Sequence, residues 1–281
     1  MSVRIIIDST ADMPKELKNR CHVVPLTVHF GDTEYIDGVT IDHKTFYEML
    51  VESDTLPSTS QATPAAFSQL FEEVTGAGDT AVVITLSSYL SGTYQSAMIA
   101  AADFEEKIYV VDSQTVAIGT GILAELALQL ADAGMDAKSL AETITQQREN
   151  VRVVALLDTL EYLKRGGRIS KTVAFAGGLL SIKPVVCVDK GEIKVLGKAR
   201  GSRQGNNLLA REIANAGGID FTKPVLLGYT GLSDMLLKKY KQDSSAFWEG
   251  RIKELPTAVV GSVVGTHAGP GAIAVAFFSM D

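Results

Sequence analysis

Apolar and polar positions along this chain follow two rhythms. Short apolar runs such as Ile5-Ile6-Ile7 and Ala81-Val82-Val83-Ile84 end in Asp, Ser or Thr, while longer stretches repeat apolar residues every three or four positions. The short runs predict strands over 4–8, 23–30, 81–86, 108–112 and 153–157. The longer ones predict helices over 14–19, 43–52, 64–74, 93–102, 116–131 and 137–149. Such strand–helix alternation favours a parallel sheet with helices on both faces. Residues 26–38 interrupt it with two alternating strands around Gly31-Asp32, a hairpin added to the first domain.

The pattern changes after about residue 150. Residues 185–196 read as a hairpin around Lys190-Gly191, strands at 224–229 and 258–264 bracket helical patterns, and 272–278 is apolar throughout, like a buried strand. The expected fold is α/β in two domains. Residues 1–150 form a Rossmann-like parallel sheet with helices on both faces, and residues 151–281 an α/β domain with a mixed sheet. No low-complexity linker separates the halves.

Length agrees with two modest domains: 281 residues exceed the usual single core. A net charge of −7 argues against a nucleic-acid binder that works by neutralising phosphates. Cys21 and Cys187 lie in or beside apolar runs with no Cys-x-x-Cys pair, as reduced thiols in a cytoplasmic protein would. The first residues carry an apolar run too short for a signal peptide. The longest apolar region, 115–130, is broken by Glu125 and Gln129 and is shorter than a membrane span, so no stable membrane insertion is expected.

The candidate chemistry begins at 85–97, TLSSYLSGTYQSA. Seven hydroxyls crowd into ten positions at the end of a strand. The first amides of the helix that follows lack internal partners and favour an anion. Ser91 is placed as the N-cap, and Gly92 permits close approach to the backbone. Capping needs one hydroxyl rather than seven, so the cluster points to a polar ligand group. In PSTSQATP, residues 57–64, Thr63 before Pro64 reads as a helix cap, which leaves Ser58, Thr59, Ser60 and Gln61 to an exposed loop or to a ligand.

Two glycine fingerprints fail as nucleotide sites. Gly119-Thr120-Gly121 lies inside a helix, and Gly269-Pro270-Gly271 leads into a strand, whereas the mechanism needs glycine between strand end and helix start. GGRISKT, residues 166–172, resembles a P-loop but has Ser170 where glycine must precede lysine. Basic residues gather in two glycine-containing loops, Lys164, Arg165 and Arg168 in one, Lys198, Arg200 and Arg203 in the other; either solvation or a phosphate or acidic partner surface accounts for them. His267 stands in GTHAGPG, expected to be a glycine-dense loop between two apolar strands, where it can donate to an anion or satisfy a buried carbonyl. No metal-ligand spacing and no nucleophile elbow occurs.

The ordered set IIIDST, PLTV, PSTSQATP, LSSYLSGTYQSA, VVDS, DTLEYLKRGGRIS, LLSIKPV, KARGSR and VVGTHAGPGA resembles the DegV family of bacterial fatty-acid-binding proteins across nearly the whole chain. The resemblance implies two α/β domains clamping a long-chain fatty acid, with no catalysis of their own. It also implies a separate ATP-dependent fatty acid kinase that phosphorylates the bound acid for phospholipid synthesis. Carried onto this chain, Thr59, Ser60, Ser91, the Gly92 amide and His267 are expected to hold the carboxylate. Arg168 and Arg200 would face the kinase or the transferring phosphate, and no catalytic cofactor or metal is implied. The tail wall is expected from Phe30, Phe175, Leu179 and Ile182. Two departures stand out: Ala-Thr-Pro follows Gln61 where proline commonly comes directly, and Gly201-Ser202 occupies a basic loop where threonine or lysine is frequent. The second leaves fewer cations for kinase docking. The alternative is an enzyme acting on a small phosphorylated or carboxylated metabolite at the same interdomain site.

Overall fold

The computed structural model describes residues 2–169 and 182–280. In chain order the first part contains β1 (Val3–Asp8), α1 (Lys15–Lys18), β2 (His22–Val24), β3 (Thr27–Phe30), β4 (Thr33–Ile36), α2 (His43–Glu52) and β5 (Ser58–Ser60). It continues with α3 (Pro64–Gly76), β6 (Thr80–Thr85), α4 (Thr93–Ala101), β7 (Ile108–Asp112), α5 (Ile118–Asp132) and α6 (Ala137–Gln147). The second part contains β8 (Val151–Leu156), α7 (Glu161–Arg165), β9 (Ile182–Asp189), β10 (Glu192–Arg200), α8 (Gly201–Asn215) and β11 (Leu226–Tyr229). It closes with α9 (Met235–Asp243), β12 (Thr257–Val259), α10 (Ser262–Ala268) and β13 (Ile273–Phe278).

The first sheet is parallel, in the order β2-β1-β6-β7. Its strands are apolar on both faces, as a sheet covered twice must be. Ile5, Ile7, Val82 and Ile84 pack with α5 and α6. Ile6, Ala81 and Val83 turn the other way, toward α3 and α4. The second sheet is mixed, in the order β10-β9-β8-β13-β11-β12, with only β11 and β12 parallel. Its outer face carries Leu156, Leu227, Val275 and Phe277 against Leu209 and Ile213 of α8 and Leu237 and Tyr240 of α9.

Helix α5 lies between the sheets. Ten of its residues are buried, and its core includes Val151, Val153, Leu226 and Ala276 of the second sheet as well as strands of the first. A helix apolar all round belongs inside a core. The glycines of the failed fingerprint have a packing reason. A β-carbon on Gly121 would lie 2.0 Å from the Asp12 carbonyl oxygen, and one on Gly119 would lie 2.5 Å from Cγ2 of Val153.

Four expectations need correction. The strand expected over 23–30 breaks at Pro25-Leu26, where Ser9 holds the turn by accepting from Leu26 N at 3.1 Å and donating its own N–H to Val24 O at 3.0 Å. The chain thereby leaves the parallel sheet and enters a separate three-stranded sheet, β4-β3-β5. Its hairpin turns at Gly31-Asp32, with Phe30 opposite Thr33. The polar segment 58–60, which the sequence leaves to an exposed loop or a ligand, is its third strand, with Thr59 opposite Val28. The strand expected over 258–264 stops at Val259. Gly261 then donates to Asp12 Oδ1 at 2.9 Å, and Ser262 starts a helix with its hydroxyl bonded to Asp37. Finally, the helix expected over 137–149 ends at Gln147 and continues as one 3₁₀ turn.

Candidate functional site

A cavity of about 380 Å³ lies between the two sheets. Small side chains on the inner face of the second sheet, Ala155, Ala272 and Ala274, leave room for it. Leu86, Val116, Ile118, Val153, Val186 and Val263 supply much of its apolar wall. Polar groups collect at one place. Thr59 and Ser60 come from β5, Ser91 and Gly92 from the start of α4, and His267 from the last turn of α10. All five expected carboxylate-holding residues therefore line one cavity, and Arg168 lines it as well.

Thr59 Oγ1 and His267 Nε2 are 3.0 Å apart. The other ring nitrogen, Nδ1, is buried without a partner and faces Gly166 at the end of α7. Burial, and then the neighbouring Arg168 guanidinium, push the imidazole down to about 4, so the ring is neutral at pH 7. Arg168 is anchored by donating from Nε to Leu90 O at 3.1 Å and from Nη1 to Gly166 O at 2.7 Å.

The hydroxyl cluster divides by role. Ser87 donates to Gly191 O at 2.8 Å and accepts from Tyr89 N, while Ser88 donates to Asp112 Oδ2 at 2.6 Å. These bonds close the turn and tie it to the second half. Asp8 bridges β1 and β6 by accepting from Leu86 N at 2.7 Å, and so occupies the point where the strand order reverses. Ser91 is not the N-cap expected from sequence: Gly92 is, without side-chain capping. Ser91 Oγ instead lies 2.9 Å from Thr93 Oγ1 and accepts weakly from Thr93 N at 3.3 Å. Thr63 caps α3 as expected, with Pro64 at the first helical position.

Gln61, which the sequence leaves to an exposed loop or a ligand, shapes the site. A β-carbon on Gly92 would lie 2.1 Å from Gln61 Oε1, and Gln61 Nε2 donates to Ser96 Oγ at 2.9 Å. Gln61 thus clamps β5 to the first turn of α4, bringing Thr59 and Ser91 together. The signal was present in the pair Gln61 and Gly92, but nothing in the sequence says that they touch.

Two expected wall residues lie elsewhere. Phe30 packs edge-on against Phe46 and Tyr35 in the core of the first half. Ile182 opens β9 opposite Arg200 and is not among the cavity residues. Phe175 and Leu179 lie outside the described residues. Arg200 is exposed at the start of α8, away from the cavity wall. Among the described residues no cluster of His, Cys, Asp and Glu is arranged to hold a metal, and no helix is long and apolar enough to cross a membrane.

A cavity with apolar walls and donors gathered at one place, enclosed by two α/β layers, has the form of a site for an amphiphile-shaped small molecule. The chain belongs to the DegV family, whose model matches residues 2–280. A DegV domain-containing protein of Caldanaerobacter subterraneus subsp. tengcongensis is 35% identical over 280 residues, 98% of each chain. A DegV family protein from Thermus thermophilus, described as binding fatty acid, matches over 100% of both chains with a TM-score of 0.88 and 30% identity. DegV of Bacillus subtilis, described as a fatty acid binding protein, matches over 99% of both chains with a TM-score of 0.83 and 28% identity.

Proposed function

We propose that this protein binds a long-chain fatty acid in the cavity between its two α/β domains, which divide near residue 150, and presents it to a separate ATP-dependent kinase. The observation that carries the reading is the asymmetry of the cavity: apolar walls along its length, and Thr59, Ser60, Ser91, Gly92 and His267 together at one place. A buried carboxylate needs several donors, whereas a tail gains roughly 0.8 kcal/mol for each buried methylene.

The histidine acts through the threonine. A neutral ring has one N–H, and placing it on Nε2 leaves a bare lone pair at the partnerless Nδ1. Nε2–H then donates to Thr59 Oγ1, and the Thr59 hydroxyl hydrogen is free to donate to the carboxylate. Ser91 and the Gly92 amide supply the remaining bonds. Because the donors are neutral, the carboxylate keeps its charge and its nucleophilicity toward phosphorus. Arg168 stands beside this head group, and the exposed Arg200 offers a contact for the kinase.

The test is direct. Protein purified from a bacterial host should show a fatty-acid adduct by native mass spectrometry, and stripped protein should melt higher with palmitate or oleate. No adduct and no thermal shift would reject the reading.

A further inference from the structure

The cavity ends against a second hollow. Val153 and Val188, neighbours on the inner face, line the cavity, and the same two residues border a groove of about 450 Å³. The two hollows differ in chemistry. The groove is bordered by Arg148, Arg152, Lys190, Glu149, Asp189 and Glu212. The groove thus combines these charges with apolar residues such as Val151, Val154, Leu196 and Phe277, whereas the cavity wall beside the valines is apolar.

The partition lies away from the polar groups. Leu157 and Leu163 line the cavity together with Arg168, and pack with Ile169, the residue that follows it. Val153 is four residues before Leu157 along the chain, about 13 Å in extended geometry. Val153 and Val188 are direct cross-strand partners in β8 and β9. Val153 also reaches into the notch left by Gly119, where a β-carbon would lie 2.5 Å from its Cγ2 and 2.2 Å from Thr115 Oγ1. The backbone pairing and the notch fix the valine, so the partition is part of the fold.

We infer that the Val153–Val188 pair is the stop that sets the length of acyl chain this protein holds. The inference rests on the fatty-acid reading and adds a residue-level determinant to it. A chain that just reaches the pair buries every methylene. A longer one must press its end against the valines, which the strand pairing and the Gly119 notch hold in place. Shortening either valine joins the two hollows and lets the chain extend. Each further methylene kept from water then favours the longer acid by about fourfold.

The experiment uses the full chain expressed in a bacterial host fed equal amounts of myristate, palmitate, stearate and arachidate. Acids released on denaturation are measured by mass spectrometry for wild type, Val153→Ala, Val188→Ala and Val188→Phe. The half-buried Val188 gives a readout even if Val153→Ala fails to fold. The alanine variants should shift toward longer acids, by about fourfold for each methylene newly accommodated, and Val188→Phe toward shorter ones. Acid carried by every folded variant with the wild-type length distribution would overturn the inference alone. Wild-type protein that carries no acid would overturn the fatty-acid reading, and this inference with it.

Discussion

Gly166 and His267 are in contact so close that a β-carbon on the glycine would lie 2.1 Å from the imidazole Nδ1. The end of α7 and the end of α10 thus fix each other, and the ring is held against Thr59 from behind. Gly166 has φ −70°, which alanine adopts without strain. Gly166→Ala should therefore fold, displace the ring, and weaken fatty-acid binding by about tenfold, or ~1.4 kcal/mol. Competition binding on stripped protein checks this, with the melting temperature of the same sample as a control. Unchanged affinity would remove His267 from the site.

Thr59→Val keeps shape and removes the hydroxyl that contacts His267 Nε2 and is proposed to donate to the carboxylate. Ser91→Ala removes a hydroxyl that the free protein uses only for a long contact with Thr93 N and a shared one with its side chain. Each should cost about 1–3 kcal/mol of affinity, the cost of leaving a charged acceptor short of a donor. Fluorescent fatty-acid displacement measures both. A Ser91→Ala protein with wild-type affinity would reduce Ser91 to a turn residue.

The two arginines should separate by assay. Arg200 is exposed and lies off the cavity wall, so Arg200→Ala should leave lipid content unchanged and slow acyl-phosphate formation by an added kinase. Arg168 lines the cavity and braces Leu90 and Gly166, so Arg168→Ala should lower both. Lost lipid in the Arg200 variant would contradict its assignment.

Asp12 makes stability depend on pH. It is 1% exposed; Oδ1 accepts from Gly261 N, and Oδ2 has no partner. Burial pushes the carboxyl up from 3.8 to about 8; Lys18 and the Gly261 bond oppose the shift, and Asp37 and Asp8 add to it. The unfolded chain loses this proton near pH 4 while the folded chain keeps it. The contribution of Asp12 is therefore full below about pH 4 and is lost as pH rises toward about 8. Wild type should lose several degrees of melting temperature between pH 5 and 8, on the order of 2–4 °C for each kcal/mol. Asp12→Asn should flatten that slope. Parallel slopes for the two proteins would show that Asp12 is ionised in the fold.

The parts of the fold that depend on local rhythm could be read from the chain. The apolar runs of β1, β6 and β7 and the cap Thr63-Pro64 of α3 are written in adjacent residues. Where a distant partner decides, the sequence misleads. Residues 58–60 are too polar to look like a strand, and they become one because Val28 and its neighbours offer an edge. The run after Val259 looks like a strand and turns helical, because Asp12 and Asp37, more than two hundred residues earlier, receive Gly261 and Ser262. Ser91, Gly92, Thr59, Ser60 and His267 could be singled out from hydroxyl crowding, a helix start and a glycine-rich stretch, and only the ordered set of motifs joins them into one site. Their meeting depends on Gln61 and Gly166, whose contacts are entirely tertiary.

One consequence follows from the position of α5. This helix is the shared inner wall of both sheets, with Ile118 against Gly228 on one side and Gly121 against Asp12 on the other. Cutting the gene after the last residue of α6 would strand it. The leading fragment would display a bare stripe of isoleucine and leucine, and the trailing one an uncovered row of valines and alanines. Neither fragment should stay in solution by itself, whereas co-expressed fragments should rescue one another. The parallel and the mixed sheet share no strand ladder, yet one buried helix makes each depend on the other.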